Sequence, residues 1–223
     1  MASTLTELVP RTIDQSVVLR GVAWNQYEAV LAAFPEQAGL RITYLDGRLT
    51  LLSPSYRHDL FAEALADLVK AVAGELGIVW HQAGHATFRH QEAGGVEGDK
   101  TFYFGPHADR MAGQTEIDLT TQPPPDLAVE VEVTHSADDA VAVWGRLGVT
   151  EVWRLDVNRW TLNFGTLQPD GSYRALPRSL HLDPLEPADV LSQLRRAEGL
   201  AGSRWVAQLR IWVRDVLLPR RNG

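Results

Sequence analysis

The sequence contains no cysteine. Disulfides and thiolate metal sites are therefore excluded, and a cytoplasmic setting is the default expectation. No run of 18 apolar residues is present, and the first ten residues lack the pattern of a signal peptide, so no membrane segment is expected. The chain also lacks a G-x-S-x-G motif, which leaves covalent hydrolase mechanisms without support. Lysine is scarce, with Lys70 and Lys100 standing against nineteen arginines.

The composition is that of an ordinary globular protein. With 223 residues, of which 45% are hydrophobic and 22% charged, the chain is long enough for one sizeable core. The net charge of −7 argues against non-specific wrapping of nucleic acid, although it leaves room for a local basic rim.

The most informative segment runs from residue 123 to residue 134 and predicts a strand with two acids on one face. Its apolar positions alternate with Glu130 and Glu132. Two residues of extended chain rise ~6.6 Å, so both carboxylates project into one space. A divalent metal would compensate their desolvation. The residues alone support equally well the solvated face of an antiparallel edge strand.

The remaining pattern predicts an α/β (α+β) fold with one mixed sheet flanked by helices. We expect an N-terminal arm over residues 1–20 and a single domain over residues 21–218. Asp46-Gly47 predicts the turn of a hairpin over residues 41–52. The apolar periodicity predicts helices over 24–33, 59–76 and 137–147 and two closing helices, the last from Ser203, with strands at 78–82, 86–90, 101–104, 127–134, 151–156 and 160–164.

Several segments, in order and spacing, resemble a known family. They are Tyr44-Leu-Asp-Gly47, Leu52-Ser-Pro-Ser55 with His58, Glu97-Gly-Asp-Lys-Thr-Phe-Tyr-Phe104, Pro123-Pro-Pro-Asp-Leu-Ala-Val-Glu130 and Leu147-Gly-Val-Thr-Glu-Val-Trp-Arg154. Over residues 17–215 the chain resembles the bacterial Uma-two family, a branch of the PD-(D/E)XK nucleases. The resemblance implies a restriction-endonuclease-like fold and Mg²⁺-dependent hydrolysis of phosphodiester bonds.

The resemblance also implies a set of site residues. Asp99 and Glu130 match the two acids of the family motif, and Glu132 would add a third carboxylate to the same metal, Mg²⁺ with Mn²⁺ as the other option. Gly98 stands where the family usually has proline. The lysine that this family carries in the following helix is Ala140 here, a departure that bears on catalysis more than on binding.

Other side chains are candidates for the missing positive charge. Lys100 follows Asp99 directly, but its side chain should point to the opposite face of the strand unless a bulge re-aims it. His58, just before the long helix, is a candidate for a phosphate or water contact and otherwise a cap or a packed histidine. Arg146 is a further source of charge, although arginine is a poor proton acceptor.

The leading hypothesis is therefore an endonuclease that cuts DNA with metal-activated water. The apolar, tryptophan-rich stripe near the C-terminus suggests a homodimer, but it fits a core equally well. The alternative is a catalytically inactive nuclease-like domain that binds DNA or a protein. A third possibility is an interaction module without a role on nucleic acid, and it predicts that Arg57, Arg89 and Arg146 form no phosphate-contacting rim.

Overall fold

The structure is a computed structural model that describes residues 13–34, 39–84 and 86–221. These residues form helices and strands in mixed order. The helices are α1 (Trp24–Ala33), α2 (Tyr56–Glu75), α3 (Pro106–Met111), α4 (Asp138–Leu147), α5 (Pro187–Ala197), α6 (Gly202–Trp212), which continues as a π-helical turn (Val213–Leu217), and α7 (Leu218–Arg221). The strands are β1 (Gln15–Arg20), β2 (Arg41–Leu45), β3 (Arg48–Ser53), β4 (Trp80–Ala83), β5 (Phe88–His90), β6 (Gly94–Val96), β7 (Lys100–Phe104), β8 (Leu127–Glu132), β9 (Glu151–Asp156), β10 (Thr161–Leu167) and β11 (Tyr173–Leu176).

The strands form two sheets. The first is antiparallel, in the order β1-β3-β2-β6-β5, and the second is mixed, in the order β11-β10-β9-β8-β7-β4. In the second sheet only β8 and β9 run parallel, and α4 is the crossover between them. The sequence predicted one mixed sheet; the α+β class is confirmed, but the hairpin of β2 and β3 belongs to a separate sheet.

The alternation in β8 divides the core as predicted. Leu127, Val129 and Val131 pack against α2 in the main apolar cluster, while Ala128 belongs to a second cluster beneath α4. Glu130 therefore points to the α4 side of the sheet. In β7 the alternation places Phe102 and Phe104 toward α2.

Two predictions of organisation need revision. Residues 15–20, expected within a weakly ordered arm, form β1 and pair in register with β3, while residues 1–12 lie outside the described residues. The division into an arm and one domain otherwise stays a prediction. The C-terminal stripe packs largely in the core, since Trp205, Leu209 and Val213 are buried with α2, and the homodimer stays a prediction. Val216, within the π-helical turn that follows α6, is 37% exposed.

The sequence reading also missed α3, β6 and β11, which are six residues or fewer. Segments of this length carry too little periodicity to be recognised. No helix among the described residues has the length and apolar character needed to cross a membrane.

Candidate metal centre between the sheets

Asp99 and Glu130 meet at a cavity of about 140 Å³ between the first sheet and the start of α4. Asp99 immediately precedes β7, and Glu130 lies in the neighbouring strand β8. Both are buried, with 3% and 6% of their surface exposed. We call this space the central cavity; it is lined by both acids, by polar residues of β2 and β3, and by the β8–α4 connection.

The negative charge of Asp99 is compensated by neighbouring positive charges and by a backbone hydrogen-bond donor. Its Oδ1 lies 2.8 Å from Nε2 of His58 and 3.7 Å from Nε of Arg41, and its Oδ2 accepts a 2.8 Å hydrogen bond from the backbone N–H of Val131. Burial alone would raise the pKa of Asp99, but the charge of His58, together with these donors, holds it below its usual value. Asp99 is thus a carboxylate across the neutral range.

Glu130 has a single neutral partner. Trp144 donates from its indole Nε1 to Oε1 of Glu130 at 2.6 Å, and no Lys, Arg or His of the described chain forms an ion pair with it. Burial and then the nearby charge of Asp99 raise the pKa of Glu130 to about 8. A buried acid without an ion-pair partner is the electrostatic feature that a bound metal would relieve.

Gly98, where the family usually has proline, is explained by packing. A Cβ at this position would lie 2.5 Å from Cζ2 of Trp144 and 3.1 Å from Oε1 of Glu130. The indole that holds Glu130 therefore fills the space that any larger residue at position 98 would need.

The polar face of the hairpin closes the central cavity on its far side. Arg41, Thr43, Arg48 and Thr50 line it, while Ile42, Tyr44 and Leu49 of the same strands pack into a separate apolar cluster. We missed this face in the sequence, although the polar residues of the two arms alternate with the apolar ones and carried the signal.

Arg41 brings a positive charge into the cavity. Its side chain is buried, and its Nε lies near Asp99 without a hydrogen-bond acceptor. Ala140, the position of the family's lysine, lines the same cavity from α4. Arg41 thus places a guanidinium from the first sheet in the cavity that position 140 lines from α4.

The structure does not bring Glu132 to the central cavity. Its Oε1 accepts from the backbone N–H of Ala137 at 2.6 Å and from Nη2 of Arg154 at 2.5 Å, and it lines a different cavity. These contacts fix the start of α4, since Ala137 is its N-cap residue. The predicted role as a third metal ligand is not supported by this placement.

The structure also places Lys100 and His58 away from the central cavity. Lys100 points to the opposite face from Asp99, as expected, and pairs with Glu63 of α2. His58 is fully buried behind Asp99 and does not line the cavity, so it does not offer a phosphate contact. Burial would lower the pKa of His58, but the charge of Asp99 and the contacts with Asp14 and Asp99 raise it to about 10. A histidine protonated at neutral pH is not a general base.

The three arginines named as the test of a phosphate-contacting rim contact other residues in the structure. Arg146 forms a two-pronged ion pair with Asp46, at 2.7 and 2.6 Å, while Arg89 lies near Glu28 and Arg57 near Asn158. Arg146 is therefore engaged outside the central cavity.

The donor set fits a hard divalent cation. Asp99 and Glu130 offer carboxylate oxygens, which Mg²⁺ and Mn²⁺ prefer, and the cavity leaves space for water ligands. Asp99 and Glu130 would hold the ion.

A mixed sheet with an Asp–Glu pair on neighbouring strands, flanked by helices, defines a restriction-endonuclease-like fold. The sequence matches the model of the family Uma2, described as "Putative restriction endonuclease", over residues 24–201, and the chain belongs to this family. The resemblance seen in the sequence is thereby confirmed, and the family supports a nuclease-like function.

A solved structure shares the fold. It is the crystal structure of a "putative nuclease belonging to DUF820" from Anabaena variabilis ATCC 29413, with a TM-score of 0.51 and 13% sequence identity, and the match covers 68% of this chain and 89% of that one. No curated protein matches the sequence.

Proposed function

We propose that this chain is a metal-dependent endonuclease that hydrolyses phosphodiester bonds of DNA at the central cavity. The observation that carries the proposal is Glu130, a buried acid beside Asp99 that forms no ion pair among the described residues. A bound divalent ion would polarise the phosphate and lower the pKa of an attacking water. Mg²⁺ as the ion, a homodimer and a cytoplasmic setting stay predictions.

Different residues would bind the metal ion and stabilise the negative charge on the phosphate. Asp99, kept ionised by His58, and Glu130, oriented by Trp144, would hold the ion. Arg41 would donate from its guanidinium to the phosphate oxygens on which negative charge accumulates. Since arginine and protonated histidine are poor bases, the proton of the attacking water would pass to solvent or to the substrate phosphate.

The second candidate is a catalytically silent nuclease-like module that binds DNA or a protein. Ala140 favours it, because the family's lysine is absent from α4. The two functions differ in turnover but not in metal binding.

The test combines Mn²⁺ and Mg²⁺ calorimetry with cleavage of plasmid and oligonucleotide DNA. We expect Asp99→Asn and Glu130→Gln to abolish both metal binding and cleavage. Glu132→Gln is the matched control on the same strand and should retain both, since it lies outside the cavity. Metal binding without cleavage in the wild type would establish the silent module, and absence of metal binding would refute the site.

A further inference from the structure

A second cluster of metal-ligating side chains lies behind the carboxylate pair. Asp14 precedes β1, His58 lies in the first turn of α2, and His135 lies in the β8–α4 connection. Their ligating atoms all lie within 4.8 Å of one another. Nδ1 of His58 is 3.6 Å from Oδ1 of Asp14, and Nδ1 of His135 is 3.3 Å from Oδ2.

Backbone hydrogen bonds hold the Asp14 carboxylate in position in the metal-free chain. Its Oδ1 accepts a 2.8 Å hydrogen bond from the backbone N–H of Ser55, and its Oδ2 accepts one of 3.2 Å from the backbone N–H of Thr134. The carboxylate is almost fully buried and keeps lone pairs directed toward both histidines. Ligating carboxylates are commonly held by such outer hydrogen bonds.

His58 is buried between the carboxylates of Asp14 and Asp99. Neither ring nitrogen makes an aligned hydrogen bond, although Nε2 approaches Oδ1 of Asp99 to 2.8 Å and Nδ1 faces Asp14. A metal-ligating histidine typically turns its second ring nitrogen to a carboxylate, which fixes the ring. Asp99 stands in that position, and an ion bound at Nδ1 would displace to solvent the proton that His58 carries there in the metal-free chain.

We propose that Asp14, His58 and His135 bind a zinc ion at a site separate from the proposed Mg²⁺ site. Two imidazole nitrogens and one carboxylate are a zinc donor set, whereas Mg²⁺ prefers oxygen ligands alone. Ligands at zinc distances in a tetrahedron are separated by about 3.4 Å, and the two histidines approach different oxygens of Asp14 at 3.6 and 3.3 Å, so small side-chain shifts would bring the three ligands onto one ion. His135 also lines the central cavity, which gives an ion a route of entry and water a fourth position.

The zinc ion would join three segments that are distant in sequence. It would tie the residue before β1 to the start of α2 and to the connection that leads into α4. These segments surround Asp99 and the central cavity, so bound zinc would stabilise the folded chain and the position of His58 behind Asp99.

The test is equilibrium dialysis of the full chain, made without a histidine tag and stripped of metal, against Zn²⁺ in the presence of excess Mg²⁺. We expect one zinc per wild-type chain and a higher Tm in its presence. Asp14→Asn and His135→Ala should each weaken zinc binding at least about 10-fold and remove the rise in Tm. His107→Ala is the matched control, because His107 also contacts a carboxylate, Asp126, at 2.8 Å but lies outside the cluster.

The outcome does not depend on cleavage. Glu130→Gln should keep zinc, and loss of zinc there but not in His135→Ala would place the ion on the carboxylate pair and overturn the proposal. Folded wild type without zinc would also overturn it and leave His58 as a simple ion-pair bridge between Asp14 and Asp99. If Asp14→Asn fails to fold, zinc binding by His135→Ala tests the proposal, because His135 is partly exposed.

Discussion

At the scale of single residues, the Trp144–Glu130 hydrogen bond is the contact on which metal affinity should depend most. Among the described residues, the indole N–H of Trp144 is the hydrogen-bond donor to the Glu130 side chain, at 2.6 Å. We expect Trp144→Phe to weaken Mn²⁺ binding by about 10–100-fold, the range for loss of an outer-sphere partner of a metal ligand. Calorimetry measures this change directly.

A matched control exists in β9. Trp153 is equally buried and donates from Nε1 to Glu151 at 2.7 Å, but this pair does not line the central cavity. Trp153→Phe should leave Mn²⁺ affinity unchanged while removing the same kind of contact. Equal losses in the two variants would mean that a general loosening of the fold, and not the donor to Glu130, sets affinity.

Glu130 should also make the stability of the metal-free protein depend on pH. Its ordinary pKa of 4.5 is raised to about 8 in the folded chain, so the folded state binds this proton more tightly than the unfolded state. The stability from this proton is complete below the unfolded pKa and declines as pH rises through the folded one.

The glutamine variant isolates this effect, because it keeps the neutral form at every pH. In EDTA we expect Glu130→Gln and wild type to melt together near about pH 4, below the unfolded pKa, and the variant to melt several degrees higher near about pH 9. Saturating Mn²⁺ should remove the wild-type deficit. A Tm difference that stays constant with pH would contradict the raised pKa.

At the scale of elements, Glu132 belongs to the start of α4. It accepts from the N-cap residue Ala137 and from Arg154, which also contacts Asp138 at 2.9 Å. We expect Glu132→Ala to lower the free energy of unfolding by about 1–2 kcal/mol, the cost of losing a helix cap and leaving a partly buried arginine without that partner. Urea denaturation gives the value.

The same variant separates the two interpretations of Glu132. A capping residue costs stability and leaves metal affinity as it was. A metal ligand, as the sequence predicted, would cost metal affinity to the extent that Glu130→Gln does, with unchanged stability of the metal-free chain. Measuring both quantities on one preparation decides between them.

At the scale of the whole molecule, the sequence predicted what depends on local periodicity and on family order. The α2 stripe, the hairpin at Asp46-Gly47 and the two faces of β8 follow from spacing. The placement of Asp99 beside Glu130 followed from the family order. Lys100 was correctly placed on the opposite face from Asp99.

What the sequence did not predict are contacts between distant segments. Arg41 reaches Asp99 from a second sheet, and Asp14 meets His135 across 121 positions. Glu132 shows the same limit, since its partner Arg154 comes from the next strand of the sheet, and its role as a metal ligand stays a prediction. The alternation of side chains along a strand predicts the face on which a side chain lies, but it does not predict which group contacts that side chain.

Within the central cavity, the source of positive charge can be exchanged between the first sheet and α4. If Arg41 supplies the charge that the family's lysine supplies elsewhere, Arg41→Gln should lower the rate of DNA cleavage by about 10²–10³-fold, the cost of removing one donor to a developing anion. Adding Ala140→Lys to that variant should recover most of the loss, because position 140 lines the same cavity from α4. Ala140→Lys alone should change the cleavage rate little.

The four rates form a double-mutant cycle, and Mn²⁺ calorimetry on each protein confirms that the carboxylate pair is intact. An Arg41→Gln protein as fast as wild type would refute the role of Arg41, whereas an inactive wild type that gains cleavage only with Lys at position 140 would establish the chain as a silenced nuclease.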